Sequence, residues 1–162
     1  MKFNCQDFQE NYRDCINCSE GKLIVAEENK RKYILQNPSK KKVCKVKIDG
    51  CVIPSQSQRK CDYLMIVCES KSANEQEADI YFIELKGRDL ISAVEQLTQT
   101  ITYFQAEKYK FTGKVFARVV LSKVADPKSI EVDSRVITLR KLLKKFGGDF
   151  AYGSVQLERD RI

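Results

Sequence analysis

The chain has 162 residues, 43% of them hydrophobic, which is enough for one domain with a real core. Its 29 basic and 22 acidic residues leave a net charge of +7, which favours an acidic partner, nucleic acid first among them. There is no histidine, and that excludes Ser–His–Asp and Cys–His catalysis, histidine-bearing metal sites and any nuclease chemistry resting on an imidazole base. Acid–base or metal chemistry is left to carboxylates, lysine, cysteine and tyrosine.

In chain order, residues 2–19 set Phe3, Phe8, Tyr12 and Cys15 among polar residues, a helical pattern that Gly21 stops. Residues 22–27 are too short a run to assign, and 30–36 read as a strand or a helix end, so 1–40 is expected to be an N-terminal helical segment. Asn37-Pro38-Ser39 is a turn. Val43, Cys44, Val46 and Ile48, interleaved with lysines, predict a first sheet strand within 40–50, turned by Asp49-Gly50. Two apolar runs, 63–68 and 80–85, flank the polar stretch 69–79 and predict a long hairpin. Asp89 is a plausible N-cap for a helix reaching about Glu107, with Leu90, Val94, Leu97, Ile101 and Phe104 as its apolar seam. The β-branched run 114–121 is a fourth strand. Asp133 or Ser134 opens a helix over 136–146 that Gly147-Gly148 ends, and 150–157 holds a short last strand. The expected fold is α/β: one domain over 1–162, with a central mixed sheet of four to five strands flanked by helices. Its core is 43–122, with a C-terminal helix and strand in 133–157.

Seven cysteines, an odd count, lie in the first half behind a polar N-terminus, and no apolar run is long enough to span a bilayer. The expectation is a cytoplasmic protein with free thiols and no membrane association. Cys15-Ile-Asn-Cys18 is a CxxC, but no second pair stands at zinc spacing and no histidine can complete a site. Cys44, Cys51, Cys61 and Cys68 read as core positions on or beside strands.

The second hairpin strand puts Ile80, Phe82, Glu84 and Lys86 on one face and Tyr81, Ile83 and Leu85 on the other. Glu84 and Lys86 then lie about 7 Å apart at the end of an apolar face, an expensive place for charge unless it has a job. If the loop turns near Ala73–Asn74, antiparallel reflection sets Asp62 opposite the 84–86 end. Two carboxylates without histidine suit a hard divalent cation, Mg²⁺ or Mn²⁺, and a neighbouring lysine can position or deprotonate an attacking water. On the helix after the hairpin, Gln96 shares a shoulder of the seam with Ala93, Thr100 and Tyr103, while Gln99 points nearly opposite.

Cys61-Asp62, then Glu84-Leu85-Lys86 beyond a hairpin loop, then a helix carrying Gln96-Leu97, resembles the PD-(D/E)XK nuclease superfamily of restriction-like, RecB-like and Holliday-junction-cleaving enzymes, over residues 43–122. The resemblance implies a restriction-endonuclease-like core (αβββαβ). It also implies that Asp62 and Glu84 bind the metal, that Leu85 lends it a carbonyl, and that Lys86 acts on the nucleophilic water. A supporting glutamine on the next helix would be Gln96 by the angular argument. Gln99-x-x-x-Tyr103 also matches the RecB-type QxxxY, so both stand. Cys61 replaces the proline that names the motif, and the acidic residue often supplied by the first helix is left open among Glu10, Glu20, Glu27 and Glu28. No cysteine follows Cys68, so the iron–sulfur cluster of some RecB-like members is not expected. The implied activity is that of a Mg²⁺-dependent endo- or exodeoxyribonuclease acting on nucleic acid, DNA foremost, with a homodimer or partner protein supplementing so small a chain. A non-catalytic nucleic-acid-binding or structural subunit is the alternative, and a ribonuclease or toxin-like effector held by an immunity partner a third reading.

Overall fold

Strands rich in Val, Ile, Leu and Phe on both faces need cover on both sides, and the chain supplies two different covers. The computed structural model describes residues 2–68, 77–85, 87, 89–123 and 126–162. Its elements run α1 (Cys5–Asn11), β1 (Ile16–Ser19), β2 (Leu23–Glu28), β3 (Arg31–Gln36), β4 (Val43–Lys47), β5 (Tyr63–Val67), β6 (Ile80–Glu84), α2 (Leu90–Ala106), β7 (Val115–Leu121), α3 (Pro127–Glu131), α4 (Ser134–Lys144), β8 (Phe150–Ser154) and β9 (Gln156–Leu157). Six strands form a mixed sheet in the order β1-β4-β5-β6-β7-β8, and β2, β3 and β9 form a second sheet. The β1–β4, β4–β5 and β5–β6 pairs are antiparallel, whereas β6–β7 and β7–β8 are parallel. The parallel steps need crossovers, and α2 and the α3–α4 pair lie within them.

The period-two alternation divides the core. Leu64 and Ile66 of β5, with Ile80 and Phe82 of β6, face α1, α2 and α4 and pack with Phe3, Phe8, Leu97, Ile101, Phe104 and Leu139. Met65, Val67, Tyr81, Ile83 and Leu85 face the small sheet and pack with Ile24, Ala26, Tyr33 and Leu35. Every residue of β6 is buried in consequence.

The expected helix over the first 40 residues shrinks to α1 and a 3-10 turn at Arg13–Cys15, and three strands follow. Asn29 and Lys30, both at positive φ, close the β2–β3 hairpin, and Ile16–Ser19 extends the large sheet by pairing with β4. The large sheet therefore has six strands rather than four or five. The short last strand divides at Val155: β8 stays in the large sheet and β9 pairs parallel with β3. The helix α3 escaped the sequence reading; Asp126 caps it and Pro127 starts it. By contrast α2 begins on its Asp89 cap and α4 on Asp133, as expected. Gly147 (φ 73°) ends α4, and Gly148 lets the chain pass β7 where a Cβ would lie 1.7 Å from the Val115 carbonyl oxygen.

Six of the seven cysteines are paired, Cys5–Cys68, Cys15–Cys51 and Cys18–Cys44, which corrects the expectation of free thiols. Helix packing and strand pairing bring together cysteines up to 63 residues apart, a proximity that spacing alone does not encode. Among the described residues no helix is long and apolar enough to cross a membrane.

Val155 carries a left-handed backbone (φ 64°) with an exposed β-branched side chain, where the chain passes between sheets. Left-handed geometry costs an L-residue about 1–2 kcal/mol, and asparagine tolerates it better. Val155→Asn is expected to raise the thermal midpoint by a few degrees in differential scanning calorimetry; an unchanged or lower midpoint would show that the turn carries no such cost.

Candidate active site

The register Tyr63↔Ile83, continued one step, sets Asp62 opposite Glu84 at one end of the β5–β6 pair. The turn of that hairpin lies outside the described residues. Asp62 sits just before β5, where its carbonyl accepts the Ile48 amide at 2.9 Å. Glu84 is the last residue of β6. Both side chains are buried, at 3% and 0% exposure, on an otherwise apolar sheet. Burial of this kind is costly for carboxylates unless polar groups or a cation offset it.

The backbone N–H of Leu85 donates to both acids, to Asp62 Oδ2 at 2.7 Å and to Glu84 Oε1 at 3.1 Å. Those two oxygens are therefore at most about 5.8 Å apart, the two bonds laid end to end. The Cys61 thiol feels both charges. Burial pushes its pKa well up, and the Glu84 and Asp62 carboxylates push it further, so it stays a neutral thiol.

The helix side is tied down by Thr100, fully buried on α2, whose hydroxyl accepts the Cys61 amide at 2.8 Å and donates to the Gln96 carbonyl at 2.7 Å. The start of β5 is thus fastened to the turn of α2 that carries Gln96. Gln96 is half-buried, whereas Gln99 is exposed and lines a groove between α2 and α4 with Arg59, Glu95 and Arg135. The helical geometry thus separates the two glutamines as the angular argument anticipated. Lys86 lies outside the described residues.

From the other face of the sheet the β2–β3 hairpin reaches the same end. Arg31, the first residue of β3, donates through Nη1 to the Leu85 carbonyl at 2.6 Å and to the Gly87 carbonyl at 2.8 Å. The Tyr63 hydroxyl donates to Glu28 Oε1 at 2.9 Å, which brings Glu28 beside the residue that follows Asp62. Among the four acidic residues left open by the sequence, Glu28 stands next to this end, while Glu10 is on the exposed side of α1. The parts of Arg31 and Thr100, and the choice of Glu28 among the four acids, were not legible because each arrives by tertiary packing. The only local cue was Asn29 at the hairpin tip, a residue type tolerant of positive φ.

The donor set fits a hard cation: two buried carboxylates sharing one amide, with no soft ligand among the described residues there beyond the protonated Cys61 thiol. The Leu85 carbonyl already accepts from Arg31, so any metal contact there falls to its second lone pair. No match was found among protein-family models, curated proteins or solved structures.

Proposed function

We propose that the chain is a divalent-metal-dependent phosphodiesterase of the PD-(D/E)XK kind, acting on nucleic acid and foremost on DNA. The observation that carries this reading is the convergence of Asp62 Oδ2 and Glu84 Oε1 on the single amide of Leu85, in a buried position at a sheet end. The strand order lends support: β4, β5 and β6 are successively antiparallel, α2 crosses over, and β7 returns parallel to β6, which is compatible with a restriction-endonuclease-like core.

Asp62 and Glu84 would hold Mg²⁺ or Mn²⁺. When bound, such an ion supplies an acidified water and neutralises charge on a phosphoryl oxygen. The protein's own part is to fix the two carboxylates through Leu85, to fasten the helix through Thr100, and to supply a positive charge through Arg31. Lys86, two residues beyond Glu84 in sequence, is assigned the attacking water, and Gln96 a supporting place on α2. The net charge of +7 favours phosphate-bearing substrates. Arg31, held at this end by the Leu85 and Gly87 carbonyls, and the net positive charge favour a second reading, a non-catalytic nucleic-acid-binding subunit that uses its basic surface alone.

Incubation with supercoiled plasmid, linear single-stranded DNA and structured RNA separates the two. Cutting in Mg²⁺ or Mn²⁺ that stops in EDTA supports the enzyme and reveals its substrate class. Salt-sensitive binding without cutting under any condition supports the subunit.

A further inference from the structure

Four of the cysteines form one contiguous sulfur cluster. Cys5 opens α1, Cys18 lies in β1, Cys44 faces it across the β1–β4 pair, and Cys68 follows β5. The bridges Cys5–Cys68 and Cys18–Cys44 stand side by side, with the Cys44 and Cys68 sulfurs 3.4 Å apart. The sulfurs of Cys5, Cys44 and Cys68 all lie within 4.8 Å of one another. Cys15–Cys51 is a separate bridge outside this group.

A tetrahedral metal with Zn–S distances of about 2.3 Å needs four sulfurs spaced roughly 3.8 Å apart. Three of the sulfurs, those of Cys5, Cys44 and Cys68, already lie within reach of one ion, and Cys18, bonded to Cys44, has to turn inward once its bridge opens to be the fourth. The Cα atoms of Cys18 and Cys44 are only 3.9 Å apart, nearer than the roughly 4.4 Å lower end usual for a disulfide. Cys5 and Cys44 are buried, and Cys18 and Cys68 are half-buried, so the group is enclosed yet open to solvent on one side. Structural zinc sites are closed and four-coordinate, and in a chain without histidine the all-cysteine form is the usual structural type still open. An iron–sulfur cluster needs room for several iron and sulfide atoms between its ligands, which sulfurs 3.4 Å apart do not leave.

We propose that Cys5, Cys18, Cys44 and Cys68, when reduced, form a tetrathiolate site for one structural Zn²⁺. It would fasten the N-terminal segment to the sheet, six residues and about 20 Å along β5 from Asp62. The chemistry balances with a dithiol reductant. Two equivalents each deliver two electrons and two protons to a protein disulfide and close to cyclic disulfides. The four thiols then release up to four protons to solvent as zinc binds.

The test uses the full chain, reduced by dithiol, freed of reductant without air and titrated with Zn²⁺ or Co²⁺. Expected are one Zn²⁺ per chain and a tetrahedral cobalt–thiolate spectrum that Zn²⁺ abolishes. Cys44→Ser and, at a half-buried position, Cys18→Ser lower the affinity at least about tenfold, whereas Cys15→Ser keeps one equivalent. The proposal is overturned if reduced wild type, its seven thiols titratable, takes up no metal. It is equally overturned if Cys15→Ser removes binding while Cys18→Ser and Cys44→Ser retain it. The cobalt spectrum of the wild type needs no variant to fold.

Discussion

Glu84→Gln and Asp62→Asn are each expected to lower the rate of metal-dependent cleavage at least about 100-fold, because even partners outside a metal's ligand shell are worth 10–100-fold. Both substitutions keep the shape and the hydrogen bond from Leu85 while removing one negative charge from the pair. A readout independent of turnover accompanies this. At a Mg²⁺ concentration about 100 times Kd, binding to the folded state alone adds about 2.7 kcal/mol. For a chain of this size that raises the thermal midpoint by roughly 5–10 °C. The wild type is expected to show this rise, and both variants to lose it. Glu95→Gln is the control. Glu95 lies on the outer side of α2, paired with Arg59 and Arg135, and its loss is expected to leave cleavage within about twofold. Equal losses at Glu84 and Glu95 would mean that the chemistry does not reside between Asp62 and Glu84.

The largest stability effect is expected at Arg118. This residue of β7 is 1% exposed in the layer between the two sheets, over the rings of Tyr81 and Phe116. Its guanidinium meets Asp160 through Nε at 2.7 Å and Nη2 at 2.9 Å, meets Asp149 at 2.7 Å, and donates to the Ala117 and Asp149 carbonyls. Asp160 also accepts the Tyr33 hydroxyl at 2.6 Å, so one carboxylate joins the C-terminal residues to both sheets. Removing one member of such a buried pair costs about 3–5 kcal/mol, mostly because the partner charge is stranded. Arg118→Met is therefore expected to lower the midpoint by roughly 6–20 °C in thermal denaturation. Arg118→Met with Asp160→Leu recovers much of the loss, since neither charge is then stranded. If the double variant is no better than Arg118→Met alone, the stranded-charge account is wrong.

The same pair gives a pH dependence. Burial pushes the Asp160 carboxyl up, but the hydrogen bonds from Arg118 and Tyr33 outweigh it and hold the group below the usual carboxylate range. A depressed folded pKa contributes stability that is present above the unfolded value, near 3.9, and is lost as pH falls through the folded one. Urea midpoints of the wild type should thus fall below about pH 4. In the double variant that part of the fall should be absent.

What was legible in the sequence follows from period and parity. The 63–68 and 80–85 runs, the α2 seam and the 114–121 run each carry enough apolar residues in step to define an element, and each is present. Parity alone put Glu84 on the face of Ile80 and Phe82, and reflection about the hairpin put Asp62 opposite it. The small sheet was illegible for a physical reason. Leu23 is exposed, only Ile24 and Ala26 of β2 are buried, and the Tyr33-Ile34-Leu35 run of β3 fits a helix end as well as a strand. Its existence depends on the unfilled second face of the large sheet, a tertiary demand. Arg31 shares that origin, since its reach to Leu85 exists only once the small sheet is in place. The cysteine pairs form a third such case, because seven cysteines admit many pairings and only the fold selects among them.

The most direct test of the metal-site reading is anomalous diffraction from crystals grown in saturating Mn²⁺. One Mn²⁺ bound by an oxygen of Asp62 and an oxygen of Glu84 is the predicted result. Carboxylates held only by protein groups, with no anomalous density between them, would contradict it.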